Sequence, residues 1–151
     1  MIALVTAGGG FLLAVLWFDL MFDVQVLRHR DGQVPEPVIA SIVAYYRRVT
    51  IEARPMSRLV AVVMVGTIAG TGAEILRGDV SKVAAWVSFV LALSAVGLAV
   101  LHTFPSAVRL ATGVGEAGQA RSRLARSICR DHLLCLAAIG LLLAIQLRVA
   151  A

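Results

Sequence analysis

The stretch Val83–Leu101, VAAWVSFVLALSAVGLAVL, runs without a charged residue. A helix needs roughly 20 mostly apolar residues to cross the hydrocarbon core of a bilayer, and this run meets that length. Three further stretches flank it. Met1–Phe18 is uncharged and continues through Leu20, Met21 and Phe22, interrupted by Asp19 and Asp23. Leu59–Leu76 lies between Arg58 and Arg77 with only Glu74 inside, and Leu133–Leu147 extends back to Ser127 if Arg126 and Arg130 snorkel towards the headgroups. Runs of this length exclude the period-two alternation of a membrane barrel, and in lipid only helices then satisfy the backbone. The expected architecture is all-α: a four-transmembrane-helix bundle in a single domain over residues 1–151, with spans at about 2–24, 58–77, 83–104 and 127–148.

Composition agrees. The 151 residues are 60% hydrophobic and 15% charged, with mean hydropathy +0.89, whereas ordinary soluble domains are about 45–50% apolar and about 25% charged. The net charge of +5 sits between apolar runs rather than on a soluble face, so no nucleic-acid partner is expected. Cys129 and Cys135 fall in one helical stretch with an axial separation of about 9 Å, too far for a disulfide. The first segment lacks the basic lead and small-residue cleavage site of a signal peptide and reads as a retained helix.

Of the 14 Lys and Arg, all but Arg77, Lys82 and Arg148 fall in the two long connections. Arg28, Arg30, Arg47, Arg48, Arg54 and Arg58 lie in the first, and Arg109, Arg121, Arg123, Arg126 and Arg130 in the second. The positive-inside rule places both connections in the cytoplasm and both termini on the non-cytoplasmic side of an inner (plasma) membrane. After Pro35 and Pro37, the residues Ile39, Ile42, Val43, Tyr46, Val49, Thr50 and Ala53 recur at helical spacing, which predicts an interfacial amphipathic helix at about 38–54 ended by Pro55. Lipid contact and a cap over the bundle are both open for it. Gly113, Gly115 and Gly118 read as a flexible stretch ahead of the last helix.

Ionisable groups inside membrane segments are costly and mark functional candidates. Asp19 and Asp23 share one helical face at i, i+4, about 6 Å apart along the axis. The bland alternative is that they pair with Arg58 or another basic residue at the bundle end. Topology also brings His29, His102 and His132 to the same end. A site built from Asp19, Asp23, His102 and His132 has the chemistry of an acid/base pair, and its carboxylates and imidazoles also suit iron, zinc or manganese. A haem would require His102 and His132 to meet across a pocket. The run Cys129, His132, Cys135 lies on one arc of one helix, where packing cysteines are the simpler reading. The residues leave the cofactor open, with none the simplest reading. Glu74 reads as a local ion pair with Arg77 or Lys82, and Gly66-x-x-x-Gly70 as a close helix approach.

Three stretches carry a family resemblance: VIASIVAYYRRVTIEARPMSRL from Val38, HTFPSAVRLATG from His102, and RSRLARSICRDHLLCLAAIGLLL from Arg121. Their order and the proline-containing exit of the third span resemble the small four-helix membrane proteins related to anthrone oxygenase. The place of that family's asparagine after the proline is taken here by Ala107 or Val108. The resemblance implies a membrane bundle that oxidises a hydrophobic small molecule, with Pro105, Arg130 and His132 in the corresponding region. Tyr46, Arg58, Pro105 and Arg130 are the expected substrate or lipid contacts. The function expected is therefore the binding or oxidation of a hydrophobic small molecule at a polar pocket near the cytoplasmic end. The alternative is a structural or accessory subunit holding a partner protein or anionic lipid. A homo-oligomer would supply further helices for either.

Overall fold

The computed structural model describes residues 1–29, 32–78, 80–113 and 118–150, without the side chain of Arg54. The expectations for Arg30, Gly115 and the Arg54 side chain lie outside the described residues. Six α-helices follow in order among them: α1 (Ile2–Asp23), α2 (Glu36–Tyr46), α3 (Arg54–Arg77), α4 (Lys82–Leu98), α5 (Phe104–Thr112) and α6 (Gly118–Ala150). The described residues contain no strand. Four helical stretches, Ile2–Arg28, Pro55–Arg77, Lys82–Thr112 and Gly118–Ala150, are long and apolar enough to cross a membrane. The chain is an all-α, multi-pass membrane protein.

The long helices form a ring in which α1 packs on α3 and α6, and α4 closes it against the same two. Large apolar side chains such as Val62, Leu76, Val83 and Leu101 point outward, as a bilayer allows. Small residues set the closest approach. A Cβ at Gly8 would lie 2.6 Å from Thr67 Oγ1, and one at Gly70 would lie 2.7 Å from Val5 Cγ2. Gly66, the other half of the sequence motif, has open space around it. Close packing of α1 on α3 therefore uses Gly8 and Gly70.

Helix ends follow the local chemistry. Pro55 and Pro105 each stand in the first turn of a helix, where the missing N–H is not needed. Gly78 and Gly113 end α3 and α5 in left-handed conformations, with φ of 68° and 65°. Ser81 caps α4 by accepting from the Ala84 N–H at 3.3 Å.

Each of these prolines is preceded by a wide π-helical turn, Arg47–Glu52 and Ala99–Thr103. Before Pro55 the chain leaves helical geometry at Ala53, with φ −89° and ψ 54°, whereas at Pro105 the helical run is unbroken and the widened turn relieves the crowding of the carbonyl four residues back. The third helical run consequently passes Pro105 and reaches Thr112, beyond the end expected near 104. The fourth starts at Gly118, which belongs to the helix and not to the glycine loop.

At about 1.5 Å per residue, the 33-residue α6 is roughly 50 Å long and outreaches a hydrocarbon core of about 30 Å. Its basic first turns hold the first connection in place. Ser122 Oγ accepts from the Val34 N–H at 3.0 Å, and the Arg126 guanidinium donates to the carbonyls of His29 and Gly32 at 2.7 and 2.6 Å. The buried face of α2, Ile39, Ile42 and Tyr46, packs with Leu110 of α5 and Ile128 of α6. That contact answers the open question about the amphipathic segment: its apolar face caps the bundle end. We call this the basic end; the termini lie at the other.

The packing gives a paired test. Gly70→Ala should destabilise the protein by about 1–3 kcal/mol through overpacking against Val5, while Gly66→Ala should stay within about 0.5 kcal/mol. Reversible unfolding in mixed micelles measures both.

Candidate functional site

A cavity of about 660 Å³ opens between α1, α3, α4 and α6 at the basic end. Leu12, Leu16, Val60, Met64 and Ile139 make its apolar walls. Both π-helical turns contribute, through Val49 and Thr50 of the first and Ala99, Val100 and Thr103 of the second. Phe18, Met56, Val100 and Phe104 also line it and are each more than half exposed, so the cavity opens sideways on the apolar flank. Its polar end holds Asp19, Tyr45, Tyr46, Thr103 and His132, with Arg58 beside them.

Behind this end lies Asp23, fully buried. Tyr46 donates its hydroxyl to the Asp23 carboxylate at 2.7 Å from Oδ1 and 2.8 Å from Oδ2. His132 Nδ1 lies 2.6 Å from Asp23 Oδ2. A carboxylate only accepts, so Nδ1 carries a hydrogen, and Nε2 is the ring nitrogen left without a hydrogen-bond partner. That Nε2 is 3.8 Å from Asp19 Oδ2. Asp19 in turn accepts the Tyr45 hydroxyl at 2.7 Å, and the Tyr45 ring stacks on Phe22 with centroids 4.2 Å apart. The i, i+4 spacing of the two aspartates is what sets them on either side of one imidazole.

Burial first, and then the adjacent carboxylates, push both tyrosine hydroxyls above their ordinary value: Asp19 is the main charge beside Tyr45 and Asp23 beside Tyr46. Both side chains therefore stay protonated and donate. Chemically, Asp23 and Tyr46 orient the ring, Nε2 is left to exchange a proton with a group in the cavity that His132 and Asp19 both line, and Asp19 stands where it steadies the imidazolium.

The structure brings together Asp19, Asp23, Tyr46 and His132, with Arg58 at the cavity wall. It separates His102. That ring turns to Asp131, with Nδ1 2.5 Å from Oδ2, and Thr103 Oγ1 donates to the same oxygen at 3.3 Å. The widened turn rotates His102 away from the cavity, and it does not meet His132 as a haem would need. Neither aspartate pairs with Arg58: Asp19 accepts from Tyr45, and Asp23 from Tyr46 and His132. Pro105 starts α5 outside the cavity lining. Arg130 is exposed and joins Arg123, Arg126 and Ser127 around a separate cleft. Among the described residues no three His, Cys, Asp or Glu side chains are grouped to hold a metal; Cys129 and Cys135 are buried and free.

Sequence reasoning missed Tyr45 and Asp131. Asp131 carried a usable signal, an ionisable residue inside a span next to His132. Tyr45 carried none beyond its neighbour. No protein-family model, curated protein or solved structure matches this chain.

Two outcomes follow from the tyrosines. Tyr46→Phe should cost about 1–3 kcal/mol, since it strips a donor from a buried carboxylate, as read from unfolding midpoints. Tyr45 and Tyr46 are the 2 tyrosines of the chain, so ultraviolet tyrosinate absorbance reports both. Above pH 10.0, the ordinary value, the unfolded chain loses these protons while the fold keeps them. Stability should then fall as pH rises past 10.0 and on through the folded values, with the tyrosinate signal appearing only on unfolding.

Proposed function

We propose that this membrane protein binds a hydrophobic small molecule, entering from the lipid, and exchanges a proton with its polar group through His132. The observation that carries the reading is the joining of an apolar, side-opening cavity to an imidazole that lines it and whose Nε2 has no hydrogen-bond partner. Pockets that bind small molecules are largely apolar with a few converging polar groups, and this one has them at one end. His132 is the acid/base group, Asp23 and Tyr46 position it, and Asp19 with Tyr45 completes the polar end. Oxidation of the ligand by dioxygen after proton removal is the further step that the resemblance to anthrone-oxygenase-related proteins implies. The excess of arginine in both long connections supports a cytoplasmic basic end, with the termini outside an inner (plasma) membrane.

A second reading rests on the cleft of Arg123, Arg126, Ser127 and Arg130, whose charge suits an anionic lipid headgroup at the membrane surface. In it the protein is an accessory subunit without chemistry of its own.

Native mass spectrometry of protein extracted from its own membranes, followed by thermal-shift titration with hydrophobic phenols and anthrones, separates the two. The first reading expects a retained or stabilising small molecule, and at least tenfold weaker binding, about 1.4 kcal/mol, in both His132→Ala and Ala61→Trp, which fills the cavity from its lining on α3. A protein that carries nothing and responds to no compound, yet shifts with anionic lipid, favours the second.

A further inference from the structure

The opposite half of the bundle holds a second buried polar cluster, independent of the cavity. Glu74 of α3, Ser88 of α4 and Gln146 of α6 are all buried, at 0%, 0% and 1% exposure. The Gln146 amide donates to Glu74 Oε2 at 2.9 Å and to Ser88 Oγ at 3.3 Å. Glu74 Oε1 and Gln146 Oε1 are each buried and accept no hydrogen bond. Arg77, one turn on from Glu74, is exposed and makes no ion pair with it, and Lys82 is exposed as well, so the local pair expected from the sequence is not formed. The reason is rotational: Glu74 faces the centre of the ring, and Arg77 faces out. The Thr6 hydroxyl on α1 also lacks a partner. It adjoins Val5, which packs on Gly70 one turn before Glu74, and so belongs to the same layer.

A carboxylate in the interior of a membrane bundle is expensive unless a positive charge meets it. Here one amide N–H is its sole donor among the described residues. A bridging water would satisfy lone pairs but supply no charge. The geometry points to a binding site for a monovalent alkali-metal cation, represented by sodium, held by Glu74 Oε1, Gln146 Oε1 and Ser88 Oγ. Three considerations select that ligand class. All the available atoms are hard oxygen donors, which excludes thiophilic metals. One formal negative charge is neutralised by a single positive charge, whereas a divalent ion would leave a net charge buried. The orphaned atoms of Glu74 and Gln146 are both acceptors, so the cluster lacks a metal cation or a proton rather than another acceptor, and of these only a metal cation gives a response to sodium. Bound there, the ion ties α3, α4 and α6 together at the end where the termini lie.

The test uses the purified full chain in detergent at constant ionic strength, replacing N-methylglucamine chloride by sodium chloride. The thermal midpoint, read by tryptophan fluorescence, should rise saturably with sodium, and radiosodium should be retained on a desalting column. Glu74→Gln should lose both effects. Ser88→Ala, a milder change, should weaken the apparent sodium affinity several-fold while leaving the fold intact. Potassium or lithium acting in place of sodium supports the cation site and sets its selectivity. A midpoint indifferent to all three ions overturns the proposal, as does a sodium response that survives in Glu74→Gln. Neither result bears on the cavity at the basic end, whose ligand binding is read separately.

Discussion

Everything at the basic end hangs on the Asp23 carboxylate. It is sealed from solvent, and an unpartnered charge there would cost several kcal/mol. It survives because a hydroxyl from α2 and an imidazole from α6 converge on it. That convergence fixes the capping helix on the bundle, the hydrogen on His132 Nδ1 and the orientation of the ring. Removing any partner leaves a buried group unsatisfied, so the fold and the site stand on the same hydrogen bonds.

The π-helical turns extend this logic to the backbone. Each precedes a proline and each lines the cavity; the first ends at Ala53, where the helical path breaks before α3, and the second lets the third helical run continue past Pro105. The second also turns His102 towards Asp131. A histidine at the boundary is thereby tied into a hydrogen bond of its own and withdrawn from the cavity. Two Asp–His pairs thus flank α6, one at the cavity and one at the surface, since Asp131 and His132 are adjacent and point in different directions around the helix.

The spans were legible because lipid leaves the backbone few choices: a long uncharged run such as Val83–Leu101 must be helical whatever surrounds it. The spacing of Asp19 and Asp23 was legible for the same reason, helical geometry. Partner choice was not. α1 and α3 are apolar nearly all round, so no polar stripe sets their rotation, and rotation decides whether Glu74 meets Arg77 or Gln146. Depth is equally open in the sequence, which is why Tyr46 could be named without its bond to Asp23. The amphipathic segment showed its apolar face but not what covers it. Only the overreaching first turns of α6 and the continuation of the third helical run into α5 supply that cover.

The central claim is that Asp23 holds His132 at the cavity with Nδ1 protonated and Nε2 without a hydrogen-bond partner. Nitrogen NMR of histidine-labelled protein in lipid nanodiscs, compared with Asp23→Asn and His132→Gln, tests it most directly. The account predicts a His132 signal with a protonated, strongly hydrogen-bonded Nδ1 that is lost or reversed when Asp23 is replaced. A His132 ring protonated only at Nε2, or one indifferent to the Asp23 substitution, would contradict it.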